Sequence, residues 1–182
     1  VIKNQIKLLN EIRDDLWFYL ILPCPVPSLQ FDNVTQWYVD FPSYPPAMRS
    51  NWAVDTMKKM FDSRMYFDLI MSHLPEHTHQ IVNTMYNLSH HVPPVFGYAH
   101  WFDVKEVVAW HKDSFLQNIT GLLEMDRCYL NTQHQADLVI NQARETFNDA
   151  TIEKLNSILT VQHLGVNRED IVSEINETPE KI

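Results

Sequence analysis

Apolar residues recur at helical spacing from the start of the chain. Ile2, Ile6, Leu9 and Ile12 form one stripe and Leu8 widens it, which predicts an amphipathic helix closing near Arg13. Asp14-Asp15 breaks the pattern, and residues 16–22 (LWFYLIL) then run apolar without alternation up to Pro23. Such a run suits a short strand buried on both faces, the kind found in parallel sheets. A β-rich segment, VTQWYVDF, follows at 34–41 and stops at Pro42. Residues 43–50 (SYPPAMRS) form a polar, proline-rich loop ahead of a helix with Trp52, Met57, Met60 and Phe61 on its apolar face.

The alternation then repeats. Residues 67–72 (FDLIMS) predict another buried strand, and the loop HLPEHTH leads into a helix carrying Ile81, Val82, Met85 and Leu88. Pro93-Pro94 precedes a strand over 95–99. Residues 104–126 are mostly helical, with Gly121 as an interruption. Residues 126–131 (DRCYLN) predict a strand, and Ala136, Val139, Ile140, Ala143 and Phe147 mark the helix after it. ILTVQ at 158–162 is a further short strand, and the tail from Asn167 is polar and acidic, with a helix start expected over 168–175.

Strands separated by helices imply an α/β fold with an open, mainly parallel sheet, Rossmann-like, with helices on both faces. Six strands are expected in one sheet, at about 16–22, 34–41, 67–72, 95–99, 127–131 and 158–162. The first element is a helix, so a first strand and its loop are expected upstream of Val1. The three glycines, Gly97, Gly121 and Gly165, form no G-x-G-x-x-G or phosphate-binding loop.

Composition narrows the picture. Of the 182 residues, 45% are hydrophobic, enough for a core, yet no run approaches the roughly 18 apolar residues a membrane span requires. No signal peptide is visible, so a cytoplasmic location is expected. Cys24 and Cys128 are expected as buried thiols in a reducing compartment, and the N-x-S/T triplets at Asn33, Asn87 and Asn118 as chance occurrences. A net charge of −9 argues against tight non-specific binding to a phosphate backbone.

In an open parallel sheet, ligands bind in the crevice outside the carboxyl ends of the strands. The residues that follow the strands are therefore the candidates: Arg49; Ser72, His73 and Glu76; His100, Trp101 and Asp103; Thr132 and Gln133. His100 stands out because it closes an apolar strand, VFGYA, where a small or apolar residue is expected, and Gly97 in that strand permits close backbone approach. An imidazole there can hydrogen-bond a ligand hydroxyl or a developing charge. The bland alternative is a core histidine bonded to a carbonyl. Asp103 suits two roles equally, orienting His100 or capping the helix after it with Glu106 at the capping-box position. The other aromatics are more often core than sugar platform. Nine histidines invite a metal reading, and His73 and His77 have helical spacing, but Pro75 between them argues against a regular helix across both. No metal site is expected.

PPVFGYAHWFD (93–103) resembles the acceptor-domain strand of GT-B glycosyltransferases, where an apolar strand ends in a His at the interdomain cleft. DRCYLNTQHQADLVINQARETF (126–147) resembles that family's next landmark, a strand ending in Ser or Thr before a helix. FDLIMSHLPEH and ILTVQHLGV resemble the preceding and closing strands, and the four segments keep the family's order. The resemblance implies a Rossmann-like acceptor domain over residues 1–166 lacking its first strand, and a linker over 167–182 toward a donor domain. It implies a nucleotide-sugar donor, no obligatory metal and no further cofactor, with an acceptor left unspecified. The sugar-contacting role falls to His100, with Asp103 beside it as a catalytic candidate, and Thr132 and the Ser72–Glu76 loop shape the acceptor side. Phage enzymes that glucosylate modified DNA bases share this architecture and a cleft His followed by Asp, so modified DNA is one acceptor class. A non-enzymatic Rossmann-like binding module is the rival from another class.

Overall fold

The computed structural model describes residues 2–22, 29–38, 58–59, 66–89, 91–100, 102, 104 and 112–162. The chain divides into two compact units, Val1–Met65 and Tyr66–Ile182.

In the first unit, helix α1 (Ile2–Ile12) precedes strands β1 (Phe18–Leu22) and β2 (Val34–Tyr38). The two strands pair in parallel, from Phe18↔Val34 to Leu22↔Tyr38. Asn33 holds their amino ends. Its Nδ2 donates to the Leu16 carbonyl at 2.9 Å and to Asn10 Oδ1 at 2.8 Å, which ties α1 to the start of both strands. Trp17 Nε1 adds a bond to Thr35 Oγ1 at 3.1 Å.

The second unit runs β3 (Ile70–Ser72), α2 (Pro75–Ser89), β4 (Val95–Ala99), α3 (Lys112–Leu122), β5 (Arg127–Leu130), α4 (Gln133–Ala143), α5 (Asp149–Ile158) and β6 (Leu159–Val161). Its four strands form one sheet in the order β3-β4-β5-β6, and every pairing is parallel. The fold is therefore α/β with parallel sheets, consistent with a Rossmann-like open architecture. All six expected strands occur: β1 and β2 form a two-stranded sheet in the first unit, and β3–β6 the four-stranded sheet of the second.

Strand parity separates the two faces of the four-stranded sheet, because successive side chains alternate. Register aligns Ile70 with Val95, Ser72 with Gly97, Gly97 with Cys128, Ala99 with Leu130, and Leu130 with Val161. On this face, Val95, Ala99, Cys128 and Leu130 are buried in one cluster with Phe115, Ile119 and Leu122 of α3, Val139 of α4 and Leu155 of α5. Burying each large apolar side chain contributes roughly 1.5–3 kcal/mol. Met71, Phe96, Tyr98 and Tyr129 stand on the opposite face.

Local chemistry sets the helix ends. Thr132 caps α4 by accepting from the Gln135 amide at 3.1 Å, and Asn148 caps α5 by accepting from the Thr151 amide at 3.0 Å. The sequence pattern did not reveal α5, although Ile152, Leu155 and Ile158 form its buried face. It is only ten residues long and passes directly into β6 at Leu159. The expected loop HLPEHTH is also corrected: α2 begins inside it, at Pro75. Proline at the first helical position lacks only an N–H that would have no intrahelical partner, and its fixed φ suits the first turn.

Gly121 is not an interruption. It lies inside the last turn of α3, where that helix crosses the start of α2. A Cβ on Gly121 would overlap the Pro75 carbonyl group, with the carbonyl carbon only 2.6 Å away. Backbone meets backbone here, so no side chain can swing aside. The same helix pair is joined by Asn118 Nδ2 to Glu76 Oε2 at 3.4 Å, and His79 Nδ1 meets Glu124 Oε1, in the turn after α3, at 2.7 Å. Gly121→Ala is expected to destabilise the second unit by about 1–3 kcal/mol, the usual range for overpacking. Urea unfolding followed by circular dichroism checks this, and an unchanged midpoint would contradict the contact.

Candidate functional site

Because all four strands of the second unit run parallel, their carboxyl ends share one edge. Ser72-His73, Ala99-His100 and Leu130-Asn131 leave the sheet there side by side. Parity then sorts them. Ser72 falls on the helix-covered face, whereas His73, Tyr98, His100 and Asn131 fall on the opposite one.

Ser72 is buried, and its Oγ lies 2.7 Å from Thr78 Oγ1 and 3.3 Å from the Leu74 carbonyl. These bonds hold the β3–α2 turn. Glu76 occupies the first turn of α2, where a carboxylate favours the helix dipole, and accepts from Asn118 of α3. Thr132 is exposed and occupied as the α4 cap. Gln133, also exposed, donates from Nε2 to Asp137 Oδ1 at 2.8 Å. Arg49, Trp101 and Asp103 lie outside the described residues.

Of the expected site residues, His73 and His100 are brought together by their rings. The two imidazoles stack at 6.1 Å between centroids with 16° between planes. Tyr98 completes the group, packing edge-on to His100 at 4.9 Å and tilted against His73 at 6.1 Å. The Tyr98 hydroxyl donates to Asn131 Oδ1, just past the end of β5. Tyr98 is only 6% exposed, His73 is half-buried and His100 is exposed. The arrangement therefore grades from a fixed phenol to an imidazole presented to solvent.

Sequence reasoning missed Tyr98 and Asn131. Tyr98 lies two residues before His100 and so must share its face, a signal present in the strand itself. Asn131 needs the β4–β5 register, which pairs Ala99 with Leu130 and places Asn131 beside His100.

Electrostatics follow from this packing. Burial holds the His73 pKa below its ordinary value of 6.5, and the neighbouring charge of His100 lowers it further. Burial pushes the Tyr98 phenol up, so it remains a hydrogen-bond donor through the neutral range. Cys128, under the sheet, is pushed up to about 12 by burial and is an inert thiol at neutral pH. Among the described residues, no three His, Cys, Asp or Glu side chains converge as a metal site, and no helix is long and apolar enough to cross a membrane. Asn118 is buried within α3, which removes one N-x-S/T triplet as a glycan site. The cluster sets two imidazoles against an aromatic wall, the mix of polar and apolar groups that ligand sites in general share.

Compared with known proteins, the chain matches no protein-family model and no curated protein.

The His73 shift has a defined consequence for stability. A histidine whose pKa is lowered by folding binds fewer protons folded than unfolded, so stability rises with pH across its titration window. The contribution is present above about 6.5, the unfolded value, and is lost as pH falls from there toward the lower folded value. Urea midpoints should therefore fall between about pH 7.5 and 5.5. His73→Gln should flatten that slope; an identical slope in the variant would contradict the burial of a neutral imidazole.

Proposed function

We propose that this chain is the acceptor-side domain of a GT-B-type glycosyltransferase, moving a sugar from a nucleotide-sugar donor to an acceptor hydroxyl. One observation carries the reading. An exposed imidazole, His100, sits at the carboxyl edge of a parallel sheet, backed by His73 and by a Tyr98 ring fixed through Asn131. This is the edge at which open α/β sheets bind ligands, and the segment around it resembles the cleft strand of that family.

In this reading, His100 meets the donor sugar as positive charge develops on the ring and negative charge on the departing diphosphate. A preorganised hydrogen bond or dipole is worth most at that stage, because it costs no reorganisation when charge appears. His100 is the catalytic contact. His73 lines the same surface, while Ser72 and Glu76 maintain the turn that carries His73. The net charge of −9 weighs toward a carbohydrate or small-molecule acceptor rather than DNA.

The test uses the protein encoded by the full reading frame. Donor hydrolysis without acceptor is measured across several nucleotide-sugars, and transfer to mixed acceptors is followed by mass spectrometry. His100→Ala should reduce turnover about 10²–10³-fold, the usual effect of losing a transition-state donor. Because His100 is exposed, the melting temperature should hardly change. Near-normal turnover in His100→Ala would reject its catalytic role. Absence of both binding and hydrolysis for every nucleotide-sugar in the wild type would reject the reaction itself.

A further inference from the structure

We propose that Tyr98 and Asn131 act together as a positioning pair for His100, with Asn131 holding the phenol and the phenol setting the imidazole. The inference rests on the reading that His100 meets the donor sugar.

Three observations converge. Tyr98 is 6% exposed, whereas Met71 on the same sheet face is 43% exposed, so the phenol is held where it lies. Its ring contacts both histidines, at 4.9 Å from His100 and 6.1 Å from His73. Its hydroxyl donates to Asn131, the residue that register places beside His100 on the neighbouring strand.

Geometry explains why such a pair is needed. His100 has left the β4–β5 ladder and is exposed, so the sheet does not fix its χ angles. An edge-on tyrosine restricts the imidazole only while the tyrosine itself is restricted. The hydroxyl is far from the Tyr98 backbone, so anchoring it to Asn131 removes the ring's remaining freedom. Burial keeps the phenol protonated, and hence donating, throughout the neutral range. The amide oxygen of Asn131 accepts the phenol's hydrogen bond without carrying charge. Immobilising a group before charge develops improves the rate more than the affinity, because a correctly held dipole matters most in the transition state.

The test is a double-mutant cycle with a rescue arm and a readout independent of the reaction. In the full-length protein, Tyr98→Phe keeps the ring and loses the hydroxyl, and Asn131→Leu loses the acceptor. Each should lower kcat about tenfold while donor KM stays within about twofold. The double variant should be no worse than either single, because both remove one interaction. Asn131→Gln keeps a neutral amide acceptor and should recover a clear part of the kcat lost in Asn131→Leu. Losses that multiply in the double variant, or an Asn131→Gln variant as impaired as Asn131→Leu, would overturn the proposal.

Histidine imidazole signals in carbon-13 NMR, assigned with His73→Gln and His100→Gln, provide the second readout. The His100 signal should move or broaden in Tyr98→Phe and in Asn131→Leu, with the remaining histidines in place. An unmoved His100 signal in both variants would overturn the positioning role. If the wild type turns over no nucleotide-sugar, the reaction reading fails, and the imidazole signals still decide whether Tyr98 and Asn131 set His100.

Discussion

The alternation of side chains along β4 governs the second unit. Val95, Gly97 and Ala99 face the helices, which commits Phe96, Tyr98 and His100 to the other side. Parallel register extends this division to the neighbouring strands, so one backbone rule assigns core and candidate site together. A one-residue slip of β4 would carry His100 into a cluster of Leu122, Leu130 and Val139 and would bring Ala99 to the crevice. The apolar packing that stabilises the sheet thus also decides on which face the imidazole stands.

Glycine provides clearance in this packing at two positions. At Gly97 an added Cβ would lie 2.9 Å from Cys128 Sγ and would crowd Met125, both buried beneath the sheet. At Gly121 the obstacle is the Pro75 carbonyl group, where α3 meets the first turn of α2. The second approach bears directly on the site, because Pro75 follows His73 by two residues. The position of α3 therefore constrains the turn that presents His73, and the Ser72–Thr78 hydroxyl pair braces that turn from below.

These features differ in how far a single segment of sequence discloses them. The strand over Val95 to Ala99 was legible to the residue, because its apolar run is bounded by Pro94 and His100. His100 was legible for the same reason, as a polar residue closing that run. His73 was visible only as a loop residue, since its pairing with His100 depends on β3 lying beside β4. Ser72 carried a binding expectation by its position after a strand, and parity turns it instead toward Thr78. Pro75 looked like a break because proline interrupts helix interiors; at a first turn it costs almost nothing. Asn131 required contacts some thirty residues away, which no local periodicity reports. Helix α5 escaped the sequence reading because, with ten residues and a direct passage into β6, its periodic pattern was too short to stand out.

The strand order β3-β4-β5-β6 bears on how the second unit assembles. Each strand pairs with the one synthesised just before it, so every crossover closes a loop of modest length. An emerging chain never has to insert a strand between two that are already paired. The growing edge is always the newest strand, and each crossover helix can dock as soon as its strand is in place. Such an order suits stepwise folding from the amino-terminal side during translation, with the histidine edge completed only when β5 arrives and Asn131 comes within reach of Tyr98.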